Sequence, residues 1–126
     1  MEHAWALLQF LGLEKLAQQK AGELSYGQAR RLELCRALAC KPRILLLDEP
    51  AAGFNGAEIS ELNDLILRLR QSGLTVVLIE HHMEMLMKIC DKISVLKQGA
   101  LIAEGTPFEV QQNPQVVAAY LGEKSA

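Results

Sequence analysis

Two short apolar runs interrupt an otherwise helical pattern. They are Ile44 to Leu47 in "RILLLDEP" and the aliphatic core of "LTVVLIE" from Leu74. Both are continuous rather than alternating, the pattern of strands buried on both faces of a parallel sheet. Residues 2 to about 19 place Trp5, Leu8, Leu11 and Leu16 near helical spacing, with Gly12 weakening the middle. After a loop at Ala21 to Leu24, a second helix is expected from Ser25 to about Ala39. Leu32, Cys35, Leu38 and Ala39 share one face, and Arg30, Arg31, Glu33 and Arg36 lie mostly on the other. "AAGFNGAE" reads as a loop. Residues 57 to 71 form a third helix, with Ile59, Leu62, Ile66 and Leu69 inward, ended by Ser72-Gly73. "HHMEMLMKICD" is a short helix, and "KISVLKQGALIAEG" a hairpin turning at Gln98-Gly99. The tail holds two short helices, one capped by Thr106 with Pro107 at its first position, one starting near Asn113-Pro114. Strand–helix–strand alternation makes the fold class α/β, with parallel core strands, flanking helices, a β-hairpin and a helical tail.

Composition narrows the function. The 126 residues suit one domain or part of one. Aromatic residues are 5%, too few for the stacking platforms of single-stranded nucleic-acid binders. The net charge of −2 gives no basic field toward nucleic acid or anionic lipid. Cys35, Cys40 and Cys90 lack metal-binding spacing and sit in apolar contexts, suggesting reduced, mostly buried thiols in the cytosol. The N-terminus does not read as a signal peptide, and no apolar run approaches the ~20 residues of a membrane span. Any membrane role therefore goes through a partner.

Three places could carry chemistry. Asp48 and Glu49 end an apolar strand, where open α/β sheets bind ligands. Neighbouring strand residues point to opposite sides, so one acid can face a metal ion and the next an attacking water. "SYGQ" at Ser25 to Gln28 has the spacing of a capping box. Gly27 also opens the helix N-terminus, which carries positive partial charge, to an anion. His81 and His82 follow the second apolar strand, where an imidazole can donate to a terminal phosphate. Each has a plain structural alternative: a solvated acid pair, a simple cap, a helix-start histidine.

Taken in order, "LSYGQ", "ILLLDEP", "AGFN" and "LIEH" resemble the C-terminal part of an ATP-binding cassette (ABC) ATPase, a P-loop NTPase domain, over nearly the whole chain. "LSYGQ" is similar to the signature loop, usually LSGGQ, with Tyr26 where Gly is commoner. "ILLLDEP" resembles the Walker B strand and catalytic glutamate. "AGFN" resembles the D-loop, with Asn55 where Asp is usual, and His81 rather than His82 resembles the switch histidine. "DEPAAGFN", "LIEHHM" and the tail "GTPFEVQQNPQVVAAYLGE" are most similar to ATPase subunits of branched-chain amino-acid importers, with urea or amide importers and lipopolysaccharide-export ATPases as near alternatives.

The resemblance implies ATP and Mg²⁺ as cofactors. It implies that Asp48 holds Mg²⁺ and that Glu49 is the general base. His81 would contact the γ-phosphate. Ser25, Tyr26, Gly27 and Gln28 would form the signature loop and bind the γ-phosphate of the facing subunit's nucleotide, while Asn55 would couple the two sites. The implied partners are a second ABC ATPase subunit, as homo- or heterodimer, and transmembrane permease subunits, with no nucleic acid. The implied place is the cytoplasmic face of the cell membrane, reached only through the permease. Within the chain, 1–40 would end the helical subdomain, 41–104 would hold the core, and 105–126 would be a subfamily tail.

One departure is large: no GxxxxGK(S/T) P-loop occurs in the sequence. The chain therefore reads as the C-terminal half of a longer ATPase, inactive alone. The strand that carries the P-loop in the family would be missing beside residues 43 to 48, leaving an open sheet edge that favours self-association. The rival readings are an ABC ATPase outside transport and an inactive remnant that only binds a partner.

Overall fold

The computed structural model describes residues 2–121, which divide at Ile79/Glu80 into two compact units. Met1 and Gly122 to Ala126, the end of the expected tail, lie outside the described residues.

The first unit starts with α1 (Glu2–Phe10) and two 3₁₀ turns (Glu14–Leu16, Ala21–Glu23). The helix expected to reach residue 19 stops early, because Gly12 turns left-handed at φ +68°. Trp5, expected on its packing face, is exposed, and the inward contacts fall to Leu7, Leu8 and Phe10. α2 (Tyr26–Ala39) follows, then β1 (Ile44–Asp48), α3 (Gly56–Gln71) and β2 (Thr75–Ile79). α2 buries Leu34, Cys35 and Leu38; Leu32 is only half-buried and Ala39 is exposed. α3 buries Leu65, Ile66 and Leu69, while Ile59 and Leu62 sit at the margin. β1 and β2 pair in parallel, Leu45 with Val76 and Asp48 with Ile79.

Both strands form where the apolar runs predict them, but not buried on both faces. Leu45 is buried and Leu47 half-buried, against the core formed with Leu11, Leu13, Leu34 and Leu69. The opposite face is open: Ile44 is 59% and Leu46 72% exposed, and Val77 and Ile79 are exposed beside them. Continuous apolarity fits a strand with a layer on each side; among the described residues, only one layer is present.

The second unit contains α4 (Met83–Ile89), β3 (Ile93–Lys97), β4 (Ala100–Gly105), α5 (Pro107–Gln112) and α6 (Pro114–Val116), with a π turn at Val117–Leu121. β3 and β4 pair antiparallel with a bulge between Val95 and Leu96, and Gln98 and Gly99 take φ 50° and 79° at the turn. Thr106 caps α5 with Pro107 at the first position, as the sequence predicts. Val110 and Val116 are almost wholly buried, and the Tyr120 hydroxyl donates to the Leu96 carbonyl at 2.6 Å, tying the tail to the hairpin. Of the three thiols, Cys35 is buried and its pKa is raised by that burial, but Cys40 is exposed because it stands at the C-cap of α2.

Candidate functional site

At the N-terminus of α2, Ser25 is extended (φ −63°, ψ 163°) and its Oγ accepts from the Gln28 N–H at 3.3 Å. Gln28 Oε1 accepts in return from the Ser25 N–H at 2.9 Å, completing the capping box. The N–H groups of Tyr26 and Gly27 have no acceptor within a helix. They mark the first turn of a 14-residue helix, with its positive end toward them. A Cβ added at Gly27 would meet only Glu58 Oε1, at an ordinary 3.6 Å. Packing within the chain therefore does not demand glycine there.

The acid pair sits where β1 ends. Asp48 is its last residue and is exposed. Glu49 continues the ladder by one bond, its N–H donating to the Ile79 carbonyl at 2.8 Å. Its backbone then turns left-handed at φ 45°, an uncommon conformation for a residue with a side chain. The reversal throws the chain into a tight loop: Ala52 N–H donates to the Glu49 carbonyl at 3.1 Å and Phe54 N–H to the Ala51 carbonyl at 3.0 Å. Ala51 is fully buried at the loop's root. Asn55 ends the loop by capping α3: its Oδ1 accepts from Glu58 N–H at 2.9 Å, and Glu58 Oε2 accepts from Asn55 N–H at 2.8 Å.

Ser25, Gly27, Gln28 and Asp48 line one groove of about 860 Å³, with Leu45 and Leu65 in its apolar wall and the Arg31–Glu61 ion pair on its border. Glu49 and Asn55 are not among its lining residues. A bond between loops runs alongside: the Tyr26 hydroxyl donates to the Ala52 carbonyl at 3.0 Å.

His81 belongs to the second unit. Its ring is 61% exposed and stacks on His82 at 4.5 Å. His82 Nδ1 lies 2.9 Å from Oε2 of Glu80, whose side chain is fully buried, so His82 is held while opening α4. The donor atoms of Glu80, His81 and His82 lie within 4.8 Å of one another. The hydrogen bond to His82 gives this carboxylate a use that needs no ion.

Sequence reasoning passed over Phe54, Glu58 and Glu80. Glu58 was signalled by the three-residue spacing from Asn55, the same capping-box spacing read at Ser25. Phe54 gave no signal, since its contact with the Tyr26 ring is set by the fold, and Glu80 is marked in the sequence only by standing just before the two histidines.

Known proteins resemble the chain along nearly its whole length. A family model described as "ABC transporter" matches residues 1–52, and one described as "Branched-chain amino acid ATP-binding cassette transporter" matches residues 100–126. The "High-affinity branched-chain amino acid transport ATP-binding protein BraF" of Pseudomonas aeruginosa is 50% identical over 98% of this chain. The chain is similar to ATP-binding proteins of ABC transporters over nearly its whole length. LivG of Escherichia coli K12, described in the same words as BraF, is 46% identical over 98% of this chain, and the lipopolysaccharide export protein LptB of that strain is 38% identical over 97%. The solved ADP conformation of an ATP-binding cassette of an ABC transporter superposes with a TM-score of 0.86 at 36% identity, over 96% of this chain and 49% of that one. The chain spans about half the length of the curated relatives it matches, 49% of BraF and LivG. No helix among the described residues is long and apolar enough to cross a membrane.

Proposed function

We propose that this chain supplies the signature loop and the catalytic acids of an ATP-hydrolysing importer subunit for branched-chain amino acids. The subunit would work as one of a pair on the inner face of the membrane, beneath a permease. The observation that carries the catalytic reading is the strand-end pair Asp48-Glu49, with Glu49 held at φ 45° by the bond to Ile79. Strained backbone of this kind concentrates at functional sites. The substrate class rests on BraF and LivG and on the match of residues 100–126.

The residues present fit the γ-phosphate side of a nucleotide and its ion. Asp48 is exposed at the strand end, where its carboxylate would hold Mg²⁺; bound there, the ion would neutralise phosphate charge. Glu49 would accept a proton from the attacking water, and His81 would donate a hydrogen bond to the terminal phosphate. On the opposite side of a paired subunit's nucleotide, Ser25 and Gln28 would stiffen the first turn of α2. Gly27 would let phosphate oxygens approach its N–H groups, which matches a position where packing leaves room for a side chain. Asn55 would place the loop that communicates between the two sites. The α- and β-phosphate cradle has no counterpart in this sequence.

The test is complementation. Mixed with the part of BraF that this chain does not match, the chain should yield Mg²⁺-dependent phosphate release from ATP. Glu49→Gln should reduce that release by about a hundredfold or more without loss of helical circular dichroism. Unaltered turnover in the Glu49→Gln mixture would sink the assignment of the base. The chain alone should show no ATPase and weak or no ATP binding; submicromolar affinity in the chain alone would contradict the reading.

A further inference from the structure

Tyr26 stands in the signature loop where Gly is commoner in the family, and glycine could make none of its side-chain contacts. Its ring is not core: the residue is 53% exposed. Its hydroxyl is nevertheless used on both sides. The hydroxyl donates to the Ala52 carbonyl at 3.0 Å, 26 residues away, and accepts from Arg30 Nε at 3.2 Å. The Arg30 guanidinium also lies over the ring, 5.3 Å from its centroid, and is itself paired with Glu33 at 2.9 Å. Phe54 presses on the ring edge-on, centroid to centroid 6.1 Å and 88° between planes.

The facing loop is shaped to receive the ring. Gly53 is left-handed at φ +77°, and a Cβ there would sit 3.3 Å from the Tyr26 ring, tighter than ordinary packing allows. Gly53 therefore lies close to the hydroxyl end of the Tyr26 ring, next to the carbonyl of Ala52 that the hydroxyl bonds. The next residue, Asn55, begins the cap of α3. One chain of fixed groups thus runs from Glu33 through Arg30 and Tyr26 to the loop before α3.

We propose that Tyr26 is a positioning residue that latches the loop Ala51 to Asn55 onto the first turn of α2, so that signature loop and D-loop reach the facing nucleotide as one rigid element. The proposal rests on the function proposed above for the catalytic part of its claim, and on the contacts alone for the latch.

Two measurements test it. In the 126-residue chain, amide hydrogen exchange is followed at Ala52 and Phe54, whose N–H groups close the loop. Tyr26→Phe, which keeps the ring and removes the donated bond, should speed exchange there by roughly tenfold while leaving Leu45 and Val77 unchanged. Equal exchange at Ala52 and Phe54 in wild type and Tyr26→Phe overturns the latch. In the complemented ATPase, Tyr26→Phe should lower kcat by roughly threefold to tenfold at unchanged KM, as expected for an interaction that positions groups in the transition state. Arg30→Ala should give a smaller loss of the same kind. Wild-type kcat in Tyr26→Phe overturns the coupling to catalysis. Absence of ATPase in the wild-type mixture rejects the proposed function itself, while the exchange measurement still decides the latch.

Discussion

Glu49 is held left-handed at φ 45° because two bonds fix its peptide groups: its N–H to Ile79 and its carbonyl to Ala52. A Cβ in that region costs about 1 kcal/mol, and glycine escapes the cost. Glu49→Gly and Glu49→Ala remove the same carboxylate, but only glycine relieves the backbone. Glu49→Gly should therefore be more stable than Glu49→Ala by about 1 kcal/mol in urea unfolding. Equal midpoints would show that the reversal carries no strain. The sequence made this acid visible through its position after four aliphatic residues, but its dihedral angle was not legible. That angle is imposed by β2, a strand that pairs from about 30 residues further along. Tyr26 is a similar case: "SYGQ" displays a cap, and the cap formed, but the ring's partners Ala52 and Phe54 are decided only by the fold.

At the scale of elements, local signals were read most faithfully where the chemistry is local. Ser25 and Thr106 each close a capping box with the residue three positions on, and the Gln98-Gly99 turn joins two short strands. The apolar spacing extends the first helix to about residue 19, but Gly12 ends it outright rather than weakening it. Burial patterns were less legible, since they depend on what covers a face and not on the element's own sequence. Asn55, proposed above for the site, also serves an element as the cap of α3. Asn55→Ala should cost about 1 kcal/mol by removing the cap of α3, whereas Asn55→Asp, which caps equally well, should melt within a degree or two of wild type. A cost as large for aspartate as for alanine would mean that the Asn55 amide, rather than the cap, holds the loop.

For the whole molecule, the two-stranded sheet of the first unit decides behaviour in solution. Among the described residues β1 pairs only with β2, and its other edge has no partner strand. Beside it stand Ile44, Leu46, Val77 and Ile79 on one exposed face. An apolar face next to an unpaired edge invites pairing with another copy. Light scattering should show the chain associating as concentration rises, and Leu46→Lys should suppress it by placing a charge on the edge strand. A wild-type monomer at high concentration would contradict this. The same face has a calorimetric consequence. Unfolding a globular chain raises its heat capacity by about 12–15 cal/mol/K per residue, largely because apolar groups become hydrated. About half or more of the surface of these four residues is already in water when the chain is folded, so melting a lone copy hydrates less that is new there than melting a covered face would. Such a copy has a shallower dependence of stability on temperature than its length would give, and covering the face in a complex steepens it.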